Sequence, residues 1–148
     1  MQLLHIVRSR TIWLASPSVF LAAACGVTGP ASPAVTIDMS VTAFTRLPLS
    51  QHVDTPFQLS NHDSVTVYVP GCGPDPVLAL QQLTSAGWQD IPPDFYCISP
   101  APVALMPGAV LAGSQACTQT GTLRLTVSYR HDPSGPTLFA TGPPFTVQ

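Results

Sequence analysis

Apolar and polar residues alternate at period two through most of this chain after residue 34, the pattern of strands with one face buried. Val35, Ile37, Met39 and Val41 alternate with Thr36, Asp38, Ser40 and Thr42, which predicts a first strand over 35–41. Phe57 and Leu59 alternate with Gln58 and Ser60, and Asn61, His62, Asp63 and Ser64 then supply turn residues before Val65, Val67 and Val69, so this pair reads as a hairpin. A second hairpin is expected from 77–83 through Thr84, Ser85, Ala86 and Gly87 into 88–91. The strongest strand is TLRLTVSY, opened by Gly121. Leu123, Leu125, Val127 and Tyr129 share one face, and Thr122, Arg124, Thr126 and Ser128 the other.

Segments 103–106 and 109–111 read as one strand broken at Pro107 and Gly108, and 136–140 with 144–147 as a closing strand that Pro143 and Pro144 force to an edge or a bulge. With 17 prolines and 10 glycines punctuating the chain, little room is left for helices. The expectation is an all-β domain of about seven to nine short antiparallel strands packed as a sandwich. Trp88, following a hairpin glycine, is expected in its core.

The first 34 residues follow a different rule. MQLLHIVRSR carries Arg8 and Arg10 without an acid, and residues 11–24 are mostly apolar, too short a run for the about 20 residues of a spanning helix. This is the layout of a secretory leader. Residues 26–34, GVTGPASPA, are rich in Gly, Pro, Ser and Ala and read as a flexible tether. The domain expected from 35–148 is large enough to bury roughly two-thirds of the surface its unfolded chain exposes.

Two short runs carry resemblances. LAAAC, at 21–25, resembles the lipobox of bacterial lipoproteins, in which the cysteine is lipidated and becomes the new amino terminus. The resemblance implies leader removal after residue 24, acyl chains on Cys25 and stable membrane anchoring, since each buried methylene contributes about 0.8 kcal/mol. It implies a location in the cell envelope outside the cytoplasm. Gly26, where some bacteria place an inner-membrane aspartate signal, favours the outer membrane or cell surface. FQLSN at 57–61, Gly87 with Trp88, LMPG at 105–108 and GTLRL at 121–125 together resemble bacterial immunoglobulin-like domains of cell-envelope proteins. That resemblance implies an immunoglobulin-like antiparallel sandwich and no particular activity.

Charge narrows the partners. The sequence has no Lys and no Glu, and after residue 25 it sets Arg46, Arg124 and Arg130 against seven Asp. Nucleic acid needs a basic patch, so it is excluded as a partner. Cysteine arithmetic then divides Cys72, Cys97 and Cys117 into a pair and a leftover thiol. Loop entropy does not choose among pairings, but the hairpin between Cys72 and Cys97 returns the chain to where it began. Cys72–Cys97 is therefore the expected disulfide, constraining the unfolded chain by roughly 3.5 kcal/mol, with Cys117 a buried or free thiol.

Signals for chemistry are few. Each of His52, His62 and His131 lies beside or one residue from an aspartate (Asp54, Asp63, Asp132); the first spacing puts both side chains on one face of a strand, as a metal site or an oriented base needs, but all three are expected in turns in which Asp caps backbone amides. The cysteine spacing fits neither structural zinc nor blue copper. No nucleophile elbow, phosphate loop or H-E-x-x-H run is present. The expected protein is a non-enzymatic monomer without cofactor or metal, a binding or structural module that contacts an envelope protein or a surface glycan. The alternative is a small inhibitor of a secreted hydrolase. Tyr68, Phe95 and Tyr96 are the candidate binding surface, with the proline-rich loops 70–76 and 92–102 as contact regions.

Overall fold

The computed structural model describes residues 33–47, 49–94 and 96–148. Cys25, the leader and most of the tether lie outside the described residues, as does Phe95. Every regular element among the described residues is a strand. In chain order these are β1 (Val35–Asp38), β2 (Ala43–Phe44), β3 (Val53–Asn61), β4 (Val67–Val69), β5 (Gly71–Cys72), β6 (Asp75–Pro76) and β7 (Ala79–Thr84). They continue with β8 (Gly87–Ile91), β9 (Val103–Leu105), β10 (Val110–Cys117), β11 (Gly121–Tyr129), β12 (Leu138–Thr141) and β13 (Phe145–Val147). No helix among the described residues is long and apolar enough to cross a membrane.

Two sheets enclose the core. The smaller has the order β1-β3-β10, and the larger β2-β13-β11-β7-β8, with β12 also paired to β11. In immunoglobulin lettering these are A, B and E against A′, G, F, C and C′, so the strand order itself makes this an immunoglobulin-like sandwich. Val35, Ile37, Phe57 and Leu59 of the smaller sheet are buried with Leu80, Leu123, Leu125, Val127, Phe145 and Val147 of the larger. β11 follows its predicted alternation except at Thr126, which is buried on the outer side, and its inward row supplies the middle of that core.

The first strand is shorter than its pattern predicts, and the reason is a change of sheet. β1 pairs with β3, and the chain then crosses so that β2 pairs in parallel with β13. Thr146 N–H donates to Thr42 O (2.9 Å), and Phe44 meets Phe145 edge-on with ring centroids 5.8 Å apart. Alternation runs on through Met39 and Val41, but in the crossover Val41 is exposed.

The hairpin expected from β3 into β4 does not form. β3 pairs with β1 and β10, whereas β4 pairs with β9 and bridges Arg130. The chain turns a corner between sheets, held by buried Asn61. Its Nδ2 donates to the carbonyls of Val65 (2.9 Å), Leu105 (2.9 Å) and Met106 (3.1 Å), and its Oδ1 accepts from Asp63 N–H (2.9 Å). Leu105 and Met106 belong to the matching corner on the other chain segment. The broken strand expected around Pro107 and Gly108 is accordingly two strands, β9 and β10, in different sheets.

The β7–β8 hairpin forms as expected, with Thr84 opposite Gly87. Gly87 has φ 97°, a conformation that favours glycine over any residue with a Cβ. Strand C itself is interrupted. Tyr68 bridges Arg130 while Ala79 pairs with Thr126, so more chain lies on the C side than on the β11 side. The surplus, 70–76, is looped out, and Val77 N–H donates to Pro70 O (2.8 Å) to close its base.

Candidate binding surface

The outward faces of β11, β7 and β8 build a polar row across three strands. Register places Arg124 beside Gln81 and Gln81 beside Asp90. Arg124 Nε donates to Gln81 Oε1 (2.7 Å), and Gln81 Nε2 donates to Asp90 Oδ1 (2.8 Å), which fixes the orientation of the amide. The Arg124 guanidinium carbon lies 4.1 Å from the centroid of the Trp88 ring. Trp88 therefore belongs to this outer face and is only half-buried, correcting the expectation that it fills the core. The register explains why: Trp88 pairs with Leu83, on the same outward side as Gln81.

A cleft of about 710 Å³ opens on this region and is lined by Gln81, Asp90, Asp94, Arg124, Thr126 and Phe139, among others. Ser128 and Thr141 add hydroxyls to its wall, and Phe139 is 73% exposed. Thr118 Oγ1 donates to Asp94 Oδ2 (2.6 Å), tying the segment after β8 to the end of β10. The lining thus combines an aromatic face, a fixed amide, two carboxylates, a guanidinium and several hydroxyls, a set that can pair donors and acceptors with a polar ligand. Sequence reasoning missed Phe139, although it alternates with buried Ala140 and so had to point outward.

Of the residues expected to form the binding surface, the two described ones, Tyr68 and Tyr96, share no cavity. Tyr68 is half-buried in the wall of a different pocket of about 380 Å³, with Pro70, Pro100, Pro102, Tyr129 and Arg130. Its backbone is committed to Arg130 through two hydrogen bonds of 2.8 and 2.9 Å. Tyr96 stands 94% exposed beside Cys97 and lines neither cavity.

Cys72 and Cys97 are joined, with Cα atoms 5.6 Å apart. The bond clamps loop 70–76 to the segment before β9, where Ala101 N–H donates to Gly71 O (3.2 Å). Cys117 is a buried free thiol. Burial pushes its pKa up, against the opposing hydrogen bond with Thr55 Oγ1 (3.3 Å), so the thiolate is disfavoured.

The histidine–aspartate doublets exchange partners. His131 Nε2 lies 2.9 Å from Asp63 Oδ2, joining the β3–β4 corner to the end of β11, while His62 Nε2 contacts Thr36 Oγ1 (2.9 Å). Asp132 caps Ser134 N–H (2.8 Å) and Asp63 caps Ser64 N–H (2.6 Å), the turn role of aspartate. His52 and Asp54 are 3.7 Å apart and exposed at the start of β3, outside a turn. No group of three or more His, Cys, Asp or Glu among the described residues is placed to hold a metal ion.

No family model matches the chain, and no curated protein does. Among solved structures it is similar to an ASH / PapD-like domain of human CEP192 (PapD-like domain 7), at 17% identity and a TM-score of 0.36 over 92% of this chain and 96% of that one. It is also similar to a beta-glucosidase from Listeria innocua in complex with gluconolactone, at 10% identity and a TM-score of 0.30, over 76% of this chain and 16% of that one. The strand order, and not these distant likenesses, carries the assignment of the fold.

Proposed function

We propose that this chain is a lipid-anchored, non-catalytic binding module of a bacterial cell envelope, held to the membrane through Cys25, and that the outer face of its larger sheet takes a surface glycan. The observation that supports this reading is the cross-strand row Trp88, Arg124, Gln81 and Asp90 beside the exposed ring of Phe139. A sugar presents hydroxyls that both donate and accept, and apolar C–H faces that stack on aromatic rings. Gln81 and Asp90 already hold one another, so the row is rigid before a ligand arrives and loses little entropy on binding. The disfavoured thiolate of Cys117 and the turn-capping aspartates support a module without catalysis.

Co-sedimentation of the full-length chain with purified cell-wall sacculi tests the reading. The wild type is expected to sediment with them, and Gln81→Ala combined with Phe139→Ala to weaken binding about tenfold, near 1.4 kcal/mol, without loss of fold. Equal binding by wild type and variant would remove this face from the account.

One observation favours a second reading, inhibition of a hydrolase. Loop 70–76 is clamped by the disulfide and presents Gly73, Pro74 and Asp75 to solvent, the form of a rigid loop that fits an active site. A screen against secreted proteases and glycosidases separates it from the first.

A further inference from the structure

The sheet edges of this molecule are guarded unequally. β1 and β2 are short, β8 carries Asp90 and then meets Pro92 and Pro93, and β9 is hemmed by Pro100 and Pro102. Short length, charge and proline keep strand edges from recruiting another chain. β10 has none of these: Val110–Cys117 reads VLAGSQAC, eight residues without a charge or a proline. It pairs with β3 along its whole length, and among the described residues no backbone group pairs with its other edge.

The ladder fixes which groups are free. In an antiparallel pair, residues whose N–H and C=O point at the partner alternate with residues whose groups point away. Asn61 N–H donates to Ala109 O, so Leu111, Gly113, Gln115 and Cys117 face β3. Val110, Ala112, Ser114 and Ala116 present their backbone groups outward, and all four residues are exposed. The Gln115 side chain donates to the Ala116 carbonyl at 3.3 Å, an intrastrand contact that a partner strand can displace.

A row of alternating donors and acceptors is matched by another extended backbone. A second copy of β10 matches it in register. Laid antiparallel with Gly113 opposite Gly113, Val110 meets Ala116 and Ala112 meets Ser114 in both directions, so outward donors meet outward acceptors throughout. The side chains brought opposite are uncharged, and those nearest the axis, Ala112, Gly113 and Ser114, are small, so no like charges oppose the contact. The close seat of Phe57 against Gly113, where an added Cβ would lie 2.5 Å from the ring, keeps the core side of this strand covered.

We propose that two copies of this chain associate edge to edge through β10 about a twofold axis at Gly113, joining their smaller sheets into one. This revises the monomer expected from the sequence. A single strand edge is smaller than a standard interface, so the dimer is weak.

Sedimentation velocity of the full-length chain in density-matched detergent, up to about 100 µM, provides the test. The expected result is a concentration-dependent monomer–dimer equilibrium that Ala112→Lys and Ser114→Pro each weaken at least about tenfold, with the melting temperature of Ala112→Lys unchanged. The paired variant Ala112→Cys with Ser114→Cys is expected to form intermolecular disulfides under mild oxidation. A single monomeric species at every concentration, or a dimer indifferent to Ala112→Lys, would overturn the proposal.

Discussion

Asn61 shows how much one side chain decides. It is 1% exposed, and its carboxamide serves both corners of the sandwich at once, reaching Val65, Leu105 and Met106 carbonyls and the Asp63 N–H. Truncation to Ala leaves the buried contact to the Leu105 carbonyl without its donor, a loss of about 1–3 kcal/mol. Asn61→Ala should therefore lower the unfolding free energy by that amount, read as a lower denaturant midpoint at unchanged slope, and an unchanged midpoint would show that water replaces the amide. Asp63, next along the corner, makes a prediction about pH. Its carboxyl is held below its ordinary value first by the Ser64 N–H it accepts and then by His131. A carboxylate depressed in the folded state adds stability that is complete above about pH 4–5 and is lost as pH falls below its ordinary value. Asp63→Asn is expected to flatten the acid limb of the stability curve below about pH 4 and to leave its upper part with the same slope. Chemical denaturation across that range measures it.

Among the elements, legibility followed burial. β11 was readable at every position but Thr126, because its inward row from Leu123 to Tyr129 meets the core and enforces period two. β10 was read only at its first residues: burial alternates along it, but its inward positions Gly113 and Gln115 are not apolar, so the sequence does not show that alternation. The β1 pattern overran its strand because a crossing chain keeps apolar residues without keeping a partner. The β3–β4 hairpin was misread for a related reason: turn residues such as Asn61 and Asp63 say that the chain reverses, but not whether it returns to the same sheet. Trp88 and Phe139 sit on the outer face, where register alone decides direction, and only the β7–β8 and β11–β12 ladders reveal it. The disulfide was legible because the β7–β8 hairpin brings its two arms back together. It closes a loop with a sequence separation of 25, so Cys72→Ser with Cys97→Ser is expected to lower unfolding free energy by roughly 3.5 kcal/mol. A calorimetric melting temperature unchanged by the double substitution would contradict that role.

At the scale of the molecule, the proposed reading joins a leader, a tether and an immunoglobulin-like sandwich into a chain that works outside the cytoplasm. Metabolic labelling with an alkyne palmitate analogue should mark the wild type and leave Cys25→Ser unmarked, with the variant released from the membrane fraction. An equally labelled variant would place the anchor elsewhere. In the proposed reading, recognition rests on hydroxyls, an amide and aromatic rings together with Arg124, Asp90 and Asp94, which the larger sheet and the segment after β8 gather around one cleft. NMR of the isotopically labelled chain titrated with soluble cell-wall polysaccharide examines that claim most directly. Shifts are expected to gather on the Trp88 indole, the Gln81 amide, Arg124 Nε–H, Thr126 and Thr141. Shifts confined to loops 70–76 and 92–102, with the sheet face unmoved, would contradict it.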